Sequence, residues 1–305
     1  MNIFLPIAQM SVSIPVIFAA GGVVGLLSGL FGVGGGFLLT PLLMFLGISP
    51  AVAAASDAAA IVAGSTTGTL EHSRGRTVDY KMGFWLFVGG SVGSVAGVEL
   101  IHWLNRFGPA NSAIRILYLV MLGVIGGVML VESIGQWRRG AYMSERRFEP
   151  IRARRWVEAL PFQVRFPKSD IQVSLLVPIG FGMLAGILAA MMGVGGGFIM
   201  IPLMLYILRM RVHVAAGTSL FQILCTCMLV TVLQATKNHT VDFVLAFLLA
   251  IGTTTGAMIG TRVGRRLRAD QLKILMALII LIVACQIGWN LFSTPATFLS
   301  HVAGE

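Results

Sequence analysis

Apolar stretches occupy most of the chain, at roughly 14–31, 37–47, 51–70, 82–103 and 111–134, and again at 171–192, 197–208, 212–235, 241–263 and 270–292. Most approach or exceed the ~20 residues with which an α-helix crosses the hydrocarbon of a bilayer. In that solvent each backbone N–H and C=O must be satisfied internally, so such runs must be helical. Charged residues make up 11% of the chain, against the ~25% of an ordinary soluble domain. The expectation is an all-α integral membrane protein, which excludes a cytosolic enzyme, a secreted disulfide scaffold and a disordered chain. Cys225, Cys227 and Cys285 all fall in apolar segments, so neither a disulfide nor a metal site is expected. The first residues lack a basic region, so no cleaved signal peptide is expected.

The net charge of +10 raises the question of nucleic acid, but the placement of the charges answers it. Of 22 Lys and Arg, nine lie between Arg138 and Lys168, and others cluster in short loops between apolar runs, at Arg74, Arg76 and Lys81, at Arg209 and Arg211, and from Arg262 to Arg268. Basic loops of that kind set membrane orientation. With the 135–170 stretch in the cytoplasm, 19 of the 22 basic residues fall inside, and only Arg106, Arg115 and Lys237 fall outside. Both termini are then outside. The expected partners are a lipid bilayer and a small anion, with no nucleic acid; a homo-oligomer is compatible with the sequence.

The two halves repeat each other. Gly25–Gly47 aligns with Gly186–Leu208 with ten identities in 23 positions, and Thr69–Gly97 aligns with Val232–Gly260 with nine in 29. Five segments per half is an odd number, so the second copy is inverted relative to the first. The division is 1–134 for the first transmembrane repeat, 135–170 for a basic cytoplasmic linker and 171–305 for the second, inverted repeat. Segments 37–47 and 197–208 are too short to cross alone at 1.5 Å per residue.

The strongest repeated motif is Gly-Val-Gly-Gly-Gly-Phe, at Gly32–Phe37 and Gly193–Phe198. Each glycine costs a helix interior roughly 1 kcal/mol relative to Ala, so three in a row should break it. Broken backbone at membrane depth is tolerated where it is buried in protein or lines a wet cavity. Helices restarting at Phe37 and Phe198 would present N–H groups and a positive dipole end to an anion. Two such breaks related by an inverted repeat resemble the binding sites of broken-helix transporters. The bland alternative is that the glycines only allow helices to pack closely. That is the favoured reading for Gly89, Gly93 and Gly97 and for Gly252, Gly256 and Gly260, which recur every four residues.

Asp57 is the one carboxylate well inside an apolar run, and such residues usually face a cavity or a partner. Ser56 and Asp57 are therefore candidates for carrying a coupling proton, with an interface residue as the alternative for Asp57. Among the hydroxyls, Thr40, Ser28, Ser65, Thr66, Thr67, Thr226 and Thr231 could donate to an oxyanion, although most should bond a preceding carbonyl. Asp79 and Asp242 each follow a short polar loop and read as helix N-caps. Glu71 with His72, and Glu99 with His102, read as interfacial residues. A membrane-embedded enzyme using Asp57, Glu71 and His72 is disfavoured, because 15 residues of helix separate Asp57 from His72 by roughly 22 Å.

With Gly-Val-Gly-Gly-Gly-Phe followed three residues later by Pro41 or Pro202, the chain resembles the TauE/SafE family of sulfite exporters over about Val23 to Asn290. Ala216-Gly-Thr-Ser-Leu220 is similar to a segment of that family, whereas Ala55-Ser-Asp-Ala58 in the first half departs from it. The resemblance implies transport of small sulfur-containing anions such as sulfite, thiosulfate or short organosulfonates; the duplicated, inverted halves favour alternating access, and no cofactor, metal or catalytic residue is expected. Carried over by position, it places Gly34, Gly35 and Gly36, and Gly195, Gly196 and Gly197, beside the substrate path, lined by Thr218 and Ser219; Phe37 and Phe198 at the helix restarts, and Thr40, are candidates for the same site from the residues themselves. From the residues alone, a transporter of another anion, such as a carboxylate or phosphate, stands as the alternative.

Overall fold

The computed structural model describes residues 2–31, 36–107, 110–138, 161–166, 168–169, 171–208, 210–264 and 269–292. Among them the chain forms helices α1 (Ile14–Phe31), α2 (Gly36–Phe45), α3 (Pro50–Arg74), α4 (Tyr80–Phe107) and α5 (Ala110–Arg138). After the basic stretch come α6 (Leu176–Met192), α7 (Gly197–Pro202), α8 (Val212–Leu233), α9 (Phe243–Gly264) and α10 (Ala269–Phe292). The protein is thus a mostly helical membrane protein. Three helical stretches, Tyr80–Leu104, Val214–Asn238 and Phe243–Gly260, are long and apolar enough to cross a bilayer. Large apolar side chains such as Val92, Phe247, Met258, Ile282 and Trp289 are exposed on the outer helices, as a lipid-facing surface requires.

One feature corrects the expectation of helices alone. Two antiparallel hairpins are present, β1 (Asn2–Leu5) with β2 (Met10–Ser13) and β3 (Gln163–Phe166) with β4 (Ile171–Ser174). Each precedes the first helix of its half. Strands of four residues carry too few alternations to register as a period-two pattern, and β3 lies at the end of a stretch whose basic residues mark it as a linker. Most of that linker, and Gly34 and Gly35 of the first glycine motif, fall outside the described residues.

The long helices pair across the halves. α1 lies along α9 and α4 along α6; α5 packs on α10; α3 and α8 pack on each other, with α3 also meeting α9 and α8 meeting α4. Small residues decide the first two pairings. A Cβ placed on Gly89, Gly93 or Gly97 would meet the carbonyls of Ile179, Met183 or Ile187 on α6, and one on Gly182 or Gly186 would meet those of Leu86 and Gly90 on α4. The same holds between α9 and α1, where Gly252, Gly256 and Gly260 sit against the carbonyls of Phe18, Gly22 and Leu26. The four-residue glycine spacing therefore serves close helix approach.

α3 has 25 residues, about 37 Å of helix, and it holds the centre. Val52 to Ala58 are all buried, and small alanines there let neighbouring backbone come close. α3 and α8 run antiparallel: Gly217 abuts His72, Gly68 abuts Leu220, and Ala58 shares a buried cluster with Val230.

Asp79 and Asp242 cap the helices that follow them. Asp79 Oδ1 accepts from the Met82 N–H and Asp242 Oδ1 from the Leu245 N–H, each at 3.1 Å. Each also ties three elements together at one end of the molecule. The Asp79 N–H donates to Thr218 Oγ1 on α8, and Ser169 Oγ in the second hairpin's turn donates to Asp79 Oδ2 at 2.6 Å. At the other end the Asp242 N–H donates to Ser56 Oγ on α3, and the Ile7 N–H in the first hairpin's turn reaches Asp242 Oδ2 at 3.3 Å. Lys168 Nζ bonds the Val78 carbonyl and Lys81 Nζ the Arg165 carbonyl, reinforcing only the first of these ties. Losing an N-cap costs a helix about 1 kcal/mol, and Asp79→Ala additionally orphans a buried serine. Asp79→Ala is expected to lower the thermal midpoint in detergent more than Asp242→Ala does; equal shifts would show that the short bond from Ser169 adds nothing over the longer one from Ile7.

Candidate functional site

α6 ends at Met192, where Gly193 adopts a left-handed conformation (φ 71°) and returns its N–H to the Ala189 carbonyl. Gly195 and Gly196 are also left-handed, at φ 69° and 72°, a region that side chains with a Cβ enter only at a cost. The chain then re-enters helix as α7 at Gly197, one residue earlier than expected, and continues through a π-turn over Leu203–Ile207. The break is held from several sides. A Cβ on Gly193 would strike the Ala54 carbonyl of α3, one on Gly195 would strike Ile223 and Cys227 of α8, and one on Gly196 would strike Ala185 of α6. Gly36, which opens α2 in the first half, is packed against Ile61 and lies beside Val194. The start of α2 and the glycine turn of the second half therefore meet.

A buried polar cluster stands at that meeting point. Thr40 on α2 and Asp57 on α3 are both fully buried. Thr40 Oγ1 donates to Asp57 Oδ2 at 2.7 Å and has a longer contact, 3.3 Å, with the Met192 carbonyl. That carbonyl belongs to the last turn of α6, whose acceptors have no partner within the helix. Tyr118 on α5, also fully buried, donates its hydroxyl to the same carbonyl. Asp57 Oδ1 has no hydrogen-bond partner among the described residues. Four helices thus converge on one carboxyl group that has one oxygen engaged and one free.

The other candidate residues are distributed differently. Ser56 and Thr218 accept the N–H groups of Asp242 and Asp79, at opposite ends of α3, so neither joins the Asp57 cluster. Ser219 donates to the Ala216 carbonyl, and Ser65, Thr66 and Thr67 donate to carbonyls one turn back. Thr226 accepts from the Gln222 amide at 2.8 Å. The side chains of Phe37, Phe198, Ser28 and Glu71 fall outside the described residues. His72 pairs with Thr77 at the far end of α3 from Asp57. Glu99 and His102 line a shallow cleft of about 500 Å³ with Trp103 and Arg106, where Glu99 pairs with Lys237 and His102 with Asn238.

Sequence reasoning missed Tyr118 and the Met192 carbonyl. Tyr118 carries a faint signal, a hydroxyl inside an otherwise apolar run, but its partner lies 74 positions away. Gln222, a buried amide within an apolar run, went unnoticed for the same reason.

The broken backbone that packs against a buried carboxyl carries the motif on which the family resemblance rests, and residues 17–287 match the family described as "Sulfite exporter TauE/SafE". The chain belongs to this family. Among TauE/SafE relatives, the probable membrane transporter protein YunE of Bacillus subtilis is 25% identical over 286 residues, covering 90% of this chain and 97% of its own length. The probable membrane transporter protein YjnA of the same organism is 27% identical over 282 residues, covering 90% and 98%. "Sulfite exporter TauE/SafE family protein 3" of Arabidopsis thaliana is 29% identical over 127 residues, 40% of this chain and 27% of that one. No solved structure matches the chain significantly. As a TauE/SafE protein with transporter relatives of nearly matching length, the chain is a membrane transporter.

Proposed function

We propose that this transporter exports a small sulfur-containing oxyanion, such as sulfite, thiosulfate or a short organosulfonate, across the cytoplasmic membrane by alternating access. The observation that carries the reading is the contact between the start of α2 and the glycine turn, over the buried Thr40–Asp57–Met192 cluster. In hydrocarbon, irregular backbone and an intramembrane carboxyl are both costly, and together they mark the site where a transporter handles its ion. The glycines at 34–36 and 195–197, with Phe37 and Phe198, flank the path. The matched pairings, α1 with α9 and α4 with α6, support two inverted repeats rocking about the α3–α8 pair. The sulfur substrate is supported by the family description and by the name of the Arabidopsis relative. The basic stretch and the second hairpin face the cytoplasm in this reading, and the first hairpin faces outward.

Direction follows from energetics. With a cell interior negative by ~100 mV, each exported negative charge gains about 2.3 kcal/mol, so a monoanion can leave without a coupling cation. Purified protein in liposomes, with the potential clamped by valinomycin and with or without a pH gradient, is expected to move sulfite or thiosulfate down the imposed potential. Absence of flux for both anions, with carboxylate or phosphate carried instead, would overturn the substrate.

A further inference from the structure

Among the described residues, four buried side-chain oxygens have no hydrogen-bond partner: Asp57 Oδ1, Thr69 Oγ1, Gln222 Oε1 and Thr231 Oγ1. All four belong to the central antiparallel pair, two to α3 and two to α8. Buried polar groups are normally satisfied, and hydroxyls in this protein's helices show how. Ser65, Thr66, Thr67, Ser91 and Thr254 each donate to the carbonyl four residues back, the ordinary outcome for a helical hydroxyl. Thr69 and Thr231 do not. Where the sequence alignment sets Thr69 against Val232, the bonds of Ser56 to Asp242 and of Thr218 to Asp79 give α3 and α8 an offset of 162, one residue less, by which Thr69 corresponds to Thr231.

The antiparallel register sorts three of the four groups into two levels. Gly68 lies against Leu220, so Thr69 sits at the level of Ser219; Ala58 and Val230 share a cluster, so Asp57 sits at the level of Thr231. The twelve residues from Asp57 to Thr69 put the levels about 18 Å apart along α3. Gln222 lies on the other side of α8 from Leu220, its amide beside Gly90 of α4 and bonded to Thr226 at 2.8 Å, so it stands outside the α3–α8 seam.

We propose that the α3–α8 seam is the substrate path, with the Thr69 hydroxyl binding the oxyanion at one level and that of Thr231 receiving it beside Asp57 at the other. This rests on the anion-transport reading and assigns its binding residues. The ligand class is set by the chemistry: two hydroxyls are neutral donors without a compensating cation, suited to a small anion that must bind and then leave. Asp57 is the one ionisable group among the four.

Two measurements test the proposal. In a background with Cys225, Cys227 and Cys285 changed to Ala, Thr69→Cys and Thr231→Cys in proteoliposomes are expected to react with a small anionic methanethiosulfonate. Ser91→Cys on α4, whose native hydroxyl is bonded to the Phe87 carbonyl, is expected not to react. In flux assays Thr69→Val and Thr231→Val are expected to raise KM about tenfold, the loss of one hydrogen bond to a charged group, with unchanged yield of monodisperse protein. Labelling at neither position in transport-active protein, or unchanged KM in both variants, overturns the seam and leaves anion export standing. Labelling at both positions in protein that carries neither sulfite nor thiosulfate does the reverse.

Discussion

Asp57→Asn is expected to remove the response of anion flux to a pH gradient while leaving its response to membrane potential. The amide keeps the shape of the carboxyl, and its oxygen can still accept from Thr40 Oγ1, as Asp57 Oδ2 does at 2.7 Å. What the amide cannot do is gain or lose a proton at the position now held by Oδ1, which has no partner among the described residues. A gradient of one pH unit amounts to a factor of about ten per coupled proton. Wild-type protein should therefore shift its steady-state anion distribution by up to about that factor per unit, and the variant should not shift. The assay is the proteoliposome flux described above, at fixed potential, with the variant's oligomeric homogeneity checked by size exclusion. A variant that still follows the gradient, or a wild type that ignores it, would reduce Asp57 to a packing and hydrogen-bonding role.

Gly182→Leu is expected to abolish recovery of monodisperse protein, whereas Gly180→Leu, two residues away on the same helix, is expected to behave as wild type. A Cβ on Gly182 would collide with the backbone carbonyl of Leu86 on α4, while around Gly180 there is nothing within 4 Å. Overpacking a core usually costs about 1–3 kcal/mol, because side chains give way. Backbone cannot give way in the same manner. The α4–α6 pair would have to separate along its length, carrying the contacts of Gly89, Gly93 and Gly186 with it. Fluorescence-detected size exclusion of the two variants is enough to decide. Equal recovery of both would mean that the helices slide past each other at little cost and that the four-residue spacing does not set the pairing.

The arrangement places its strongest constraint and its candidate site on different devices. The outer pairs, α1 with α9 and α4 with α6, are fixed by glycines against carbonyls. The central pair, α3 and α8, instead carries polar groups that the fold leaves incompletely satisfied. That division suits a protein in which the outer pairs move as bodies and the central seam handles the ligand.

Several features were legible in the sequence because they are local. Apolar runs of bilayer length specify helices, consecutive glycines specify a break, and Thr-Val-Asp before an apolar run specifies a capped start, which Asp79 and Asp242 duly provide. Asp57 stood out because a carboxyl in an apolar run is expensive anywhere. The tertiary structure alone decided the rest. It brought Gly36 beside Val194, directed Tyr118 onto a carbonyl 74 residues away, and set the two hairpin turns on Asp242 and Asp79. It also left Thr69 and Thr231 without the bonds that Thr66 and Thr67 make. The physical reason is that helix formation in a membrane depends on each segment's own backbone and side chains. Which hydroxyl is satisfied, and by what, depends on the face that a distant helix presents to it.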